Sequence, residues 1–243
     1  MTYIDGFVAA VPAANKDAYA RHAAEAAPLF KEFGATRLVE GWGDDVPEGK
    51  VTDFKGAVKA KDDEVVVFGW MEYPSREARD AANEKMRSDP RMQGMGETMP
   101  FDGRRMIFGG FASIVDEAVD EASGTRGGYL DGYLVPVPEG NKQAYREMAQ
   151  KAAQVFKEYG ATRVVEAWGD DVPDGQVTDY KRAVKAREDE RIVYSWVEWP
   201  DKATRVEGWK KVMEDPRMQP RQGDMPFDGK RLIYGGFVPI VDR

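Results

Sequence analysis

The chain has no cysteine and a single histidine, His22. The first absence excludes disulfides, thiolate metal sites and thiol nucleophiles, and it suits a reducing compartment. The second removes most histidine acid–base chemistry, histidine metal sites and ordinary haem ligation. No apolar run approaches the roughly 18 residues of a membrane helix. The start, Met1-Thr2-Tyr3-Ile4-Asp5, has neither the basic flank nor the apolar core of a signal peptide, so a cytoplasmic location without a membrane partner is expected. Basic residues are outnumbered, 35 against 43 acidic, and the net charge of −8 argues against nucleic acid as a partner. What is present, 42% hydrophobic and 32% charged residues in a chain of 243, is the make-up of a globular protein with room for two ordinary domains.

The chain repeats itself. Tyr3-Ile4-Asp5-Gly6 aligns with Tyr129-Leu130-Asp131-Gly132, and the same offset holds without a gap to Ile114-Val115-Asp116 and Ile240-Val241-Asp242. About half of the aligned positions are identical, including Trp42-Gly43-Asp44-Asp45-Val46-Pro47 with its copy from Trp168. His22 becomes Met148 in the second copy, which marks it as packing. The copies are expected to span 1–117 and 129–243, with the acidic, then glycine-rich stretch 118–128 as a flexible linker.

Within a copy, Tyr3 to Val11 is β-branched and aromatic and stops at Pro12, the pattern of a strand. Asn15 is the expected N-cap of an amphipathic helix of about 18 residues that Gly34 stops. A strand from Thr36, a long polar stretch, a strand over 65–73, a helix capped by Ser75 that must end before Pro90, and a last strand over 105–115 complete the order βαββαβ. That order predicts a ferredoxin-like α+β unit, four antiparallel strands with both helices on one face. Its bare face carries Trp and Phe, too large an apolar patch to leave in water. The predicted fold is therefore two ferredoxin-like repeats packed sheet to sheet as an intramolecular dimeric α+β barrel, a pseudo-dimer in one chain.

The start Tyr-Ile-Asp-Gly-Phe, the Trp-Gly-Asp-Asp-Val-Pro turn, the Asp89-Pro90-Arg91-Met92-Gln93 element and the ending from Pro100-Phe101-Asp102-Gly103 to Phe111 together resemble the DUF1428 family. The resemblance covers both copies. It implies the dimeric α+β-barrel fold, usually built from two single-repeat chains, and no particular chemistry.

Strand parity sorts the candidate ligand-binding residues. If Ile4, Val8 and Val39 face the helices, then Asp5, Glu40 and Trp42 face the barrel interior. Trp70 and Glu72 share a face of the third strand and are assigned inward, and Arg105 lies near the mouth. The second copy supplies Asp131, Glu166, Trp168, Trp196, Glu198 and Arg231. Aromatic walls with carboxylates predict a small-molecule binding barrel that needs no metal or cofactor. The alternatives are a cofactor-independent enzyme, monooxygenase- or decarboxylase-like, that uses an interior carboxylate of raised pKa, and a purely structural or interaction module. What separates them is whether Asp5, Glu40 and Glu72 are neutralised by Arg105 or face empty space. The stretch 46–64 and its copy are expected to be mobile lids over the barrel end.

Overall fold

The computed structural model describes residues 2–119, 128–219 and 225–243; residues 120–127, most of the expected linker, lie outside them. In the first copy, β1 (Tyr3–Pro12) runs through a short turn into α1 (Lys16–Phe33), β2 (Arg37–Asp45), the single helical turn α2 (Phe54–Ala57) and β3 (Glu64–Tyr73). Then come α3 (Arg76–Ser88), α4 (Pro90–Glu97) and β4 (Ile107–Ala118). The second copy repeats this as β5 (Tyr129–Pro138), α5 (Lys142–Glu158), β6 (Arg163–Asp171), α6 (Tyr180–Ala183), β7 (Glu190–Trp199), α7 (Lys202–Glu214) and β8 (Ile233–Asp242). Ser75 caps α3 by accepting from the Ala78 amide, and Gly34 ends α1 at a φ of 125° that favours glycine. Asn15 precedes α1 but makes no side-chain cap; its Nδ2 donates to the Pro100 carbonyl instead.

Among the described residues, eight strands form one closed antiparallel barrel in the order β1-β3-β2-β8-β5-β7-β6-β4. Each copy contributes four consecutive strands, and the copies join at two hydrogen-bonded seams, β2 with β8 and β4 with β6. The seams leave no free sheet edge. The helices cover the outside and the bare faces meet inside.

The interior is filled. Trp70 and Trp196 stack across the pseudo-twofold axis with ring centroids 4.2 Å apart, and Phe68 and Tyr194 stack beside them at 4.5 Å. Ile4, Val8, Val39, Phe111 and Phe237 complete this core, all fully buried. Gly6 and Gly132 make room for it, since a Cβ on either would come within 2.9 Å of the Tyr194 or Phe68 ring.

One end of the barrel is closed by charge. Arg163 grips Glu72 with Nη1 and Nη2 at 2.8 and 3.0 Å, and Arg37 grips Glu198 at 2.8 and 2.9 Å, each pair joining one copy to the other. The Trp70 and Trp196 indoles donate to the same two carboxylates. The long loops close the other end, where α2 and α6 pack together. They are plugs and not loose lids: Phe54, Ala57, Val58 and their copies Tyr180, Ala183 and Val184 belong to the interior core. Their aromatic anchors in the core argue against the expected mobility of these loops.

Two outcomes are expected. Arg163→Met leaves Glu72 without its main partner and lowers unfolding free energy by about 3 kcal/mol in urea titration, against a surface arginine control near zero. Amide exchange at Ala57, Val58, Ala183 and Val184 is as slow as in the central strands.

Candidate functional site

The structure inverts the expected parity of β1 and β2. Ile4, Val8 and Val39 point into the barrel, because side chains of that size fit beside the large aromatics from β3 and β7. Asp5, Glu40 and Trp42 lie on the outer face under the helices, as do Asp131, Glu166 and Trp168. Trp70 and Trp196 do face inward, yet they fill the space expected to receive a ligand. Glu72 and Glu198 lie at the barrel end with Arg163 and Arg37 and not with Arg105. Burial alone would raise the Glu72 carboxyl, but the paired hydrogen bonds and charge of Arg163, with the Trp70 indole and Arg37, outweigh it and hold its pKa below the ordinary value. Arg105 and Arg231 pair bidentately with Glu64 and Glu190, every contact 2.6 to 2.7 Å, and donate to the carbonyls of Lys59 and Lys185. They therefore fasten the plug loops.

Glu40 and Glu166 have no basic partner among the described residues. Each accepts a hydrogen bond from a helix tyrosine, Tyr19 or Tyr145, and burial pushes each carboxyl up to about 7. A carboxyl of that pKa suits general-base work, but both lie outside the outer cleft of the first copy, beneath their helix tyrosines.

Asp5 is different. It lies at the floor of an open cleft of about 600 Å³ between the outer face of the first copy's sheet and α1, α3 and α4. Phe7, Phe30, Met71, Met86, Met92, Met106 and Phe108 make the walls, with Asn83 and Arg87 on α3. Arg79, one helical turn beyond the Ser75 cap, donates Nε to Asp5 Oδ1 at 2.6 Å and Nη1 to Asp171 of the second copy at 2.7 Å. Among the described residues nothing donates to Asp5 Oδ2. Burial pushes the Asp5 carboxyl up to about 6 despite Arg79, and the nearby Asp171 and Asp80 add to the rise. Methionine walls adapt their shape at little cost, which suits an apolar guest.

The second copy keeps the polar anchor and covers it with two indoles. Arg205 holds Asp131 Oδ1 as Arg79 holds Asp5, but Asp131 Oδ2 accepts from two indoles, Trp199 at 2.8 Å and Trp209 at 2.7 Å. Those positions are Tyr73 and Asn83 in the first copy. Tyr73 directs its hydroxyl to the Met71 sulfur and not to Asp5. Gly208, in place of Ala82, admits the larger ring: a Cβ there would lie 2.5 Å from Trp199. The Asp131 side chain is consequently 3% exposed and that of Asp5 14%. Sequence reasoning named Asp5 but missed Arg79 and the methionine walls. The Asn83/Trp209 mismatch within so close a repeat was the available signal.

A sequence profile described as "Protein of unknown function (DUF1428)" matches residues 2–103 and 128–229. The chain belongs to the DUF1428 family. The uncharacterized protein YbaA of Escherichia coli K12 is 70% identical over 117 residues, 48% of this chain and all of YbaA, and the Shigella flexneri protein of that name matches equally. The fold is also similar to those of two provisionally assigned bacterial monooxygenases. The Fusobacterium nucleatum protein has a TM-score of 0.59 at 8% identity over all of this chain and 94% of its own. The Lactobacillus acidophilus protein has 0.56 at 9%, over all of this chain and 96% of its own. At such identities the likeness is one of fold, the dimeric α+β barrel, formed here within one DUF1428 chain. Among the described residues no helix is long and apolar enough to cross a membrane.

The raised carboxyls have a thermodynamic signature. With folded pKa values of about 7 against an ordinary 4.5, Glu40 and Glu166 bind protons more tightly in the folded state. The stability they contribute is complete below about pH 4.5 and is lost as pH rises through 7. Glu40→Gln/Glu166→Gln therefore unfolds with a weaker pH dependence between 5 and 8, by on the order of 2–3 kcal/mol per carboxyl, as read by denaturant titration at each pH.

Proposed function

We propose that this protein binds a small, largely apolar molecule in the outer cleft of its first copy, with Asp5 and Arg79 as the polar anchor. The observation that carries this reading is the difference between the copies, one with an open, methionine-walled cleft above a carboxylate held at one oxygen and the other with the Trp209 indole lying against the counterparts of Asp5 and Phe30. The cleft has the size and composition of ordinary small-ligand sites, apolar walls around a few placed polar groups. Asp5 accepts a hydrogen bond from the guest, and Arg79, held in turn by Asp171, fixes the carboxylate's orientation. The fold is one that monooxygenases are assigned to, but Glu40 and Glu166, the carboxyls nearest neutral pKa, are buried under helix tyrosines and do not line this cleft, and this favours binding over catalysis.

The test is methyl NMR of the full chain with labelled methionine, against a panel of small aromatic and aliphatic compounds. Binders are expected to shift the methyls of Met71, Met86, Met92 and Met106, and Met86→Trp is expected to weaken them at least tenfold. Shifts confined to other methionines, or binding unaffected by Met86→Trp, would remove the cleft from consideration.

A further inference from the structure

The second copy carries a picture of the guest. Trp209 is the residue at the Asn83 position, on the helix wall of the cleft. Its indole packs edge-on against Phe156 with centroids 5.2 Å apart and donates Nε1–H to Asp131 Oδ2 at 2.7 Å. Both of these partners are kept in the first copy: Phe156 is Phe30, Asp131 is Asp5, and Arg205, behind the carboxylate, is Arg79. The first copy has Asn83 in place of the ring, and Tyr73 in place of the second indole donor, Trp199. Phe30 and Asp5 line its cleft, and Asp5 Oδ2, the oxygen that corresponds to the acceptor of the indole, is the one with no donor among the described residues.

We infer that the guest of the first cleft is a planar, indole-like aromatic heterocycle with a ring N–H, seated against Phe30 and donating to Asp5 Oδ2 as Trp209 does to Asp131. The inference rests on the proposed cleft and adds the chemical class of its ligand. The ring supplies apolar area to the methionine walls, and the N–H pairs with a part-buried carboxylate oxygen that a hydrocarbon would cover without a hydrogen bond. The second cleft is closed to the same ligand because its own chain occupies it, so the expected stoichiometry is one guest per chain. A guest with a carboxylate at the donor position is disfavoured by repulsion from Asp5, Asp80 and Asp171, which face the same arginine.

The experiment compares indole with indene, its carbocyclic counterpart without the N–H, by titration calorimetry on the full chain at pH 7.5. Indole is expected to bind one to one and at least tenfold more tightly than indene. Asn83→Trp, which supplies the ring from within, is expected to abolish indole binding, and a retained melting transition shows that the variant folds. Asp5→Asn leaves the cleft open and is expected to reduce the preference for indole over indene to less than threefold. Equal binding of indole and indene by the wild type overturns the donor inference while leaving the cleft reading intact. Binding of neither overturns the inference, with the methionine shifts from the compound panel then deciding the cleft. Indole binding that survives in a folded Asn83→Trp chain also overturns it.

Discussion

The constraint on which the rest of this molecule depends is the pair of seams, β2 against β8 and β4 against β6, where strands of one copy hydrogen-bond to strands of the other. Once the seams close, the two bare sheet faces become the inner wall of an eight-strand barrel, whose bore is no wider than a few side chains. The aromatic residues that a lone copy would expose then have nowhere to go but against each other. Trp70 on Trp196 and Phe68 on Tyr194 follow from that geometry, as do the reciprocal arginine–glutamate grips that shut one end. A barrel packed this way gives its interior to aromatic side chains, and the cleft of the first copy lies outside it, where sheet and helices meet.

The repeat, the strand and helix order and the joining of two ferredoxin-like units were legible because each left a local mark: a fixed offset, a proline stop, a capping serine. Which face of β1 and β2 looks inward was not, because both faces are apolar. Ile4 and Val8 alternate with Tyr3 and Phe7, and a sheet covered on both sides offers no polar side by which to set the parity. Strand β3 was read correctly in orientation and still misjudged in consequence, since the sequence places Trp70 inward without saying that Trp196 will be stacked upon it. Arg79 was invisible for a different reason. It meets Asp5 across 74 residues, and nothing in either local pattern announces the pairing.

The two copies have diverged least where they must cooperate. The residues of the charged end, Arg37, Glu72, Arg163 and Glu198, are the same in both, as are Arg105 and Arg231 with their glutamates at the plugs. Divergence includes the end of the third strand of each copy and the helix after it, where Tyr73, Ala82 and Asn83 align with Trp199, Gly208 and Trp209. These three exchanges act together. The larger ring at 199 requires the missing Cβ at 208, and both indoles meet on one carboxylate oxygen. A structural scaffold is thus kept in duplicate while one outer surface is altered as a unit.

That seal could not arise in the same form in a protein made of two identical chains. In a symmetric homodimer every substitution enters both subunits at once, so a tryptophan that shut one cleft would shut its mate and leave the assembly with none. Covalent fusion breaks that symmetry. One half can give up its opening for a better-packed exterior while the other keeps it, and which half stays open is then set by covalent sequence and not by communication between subunits.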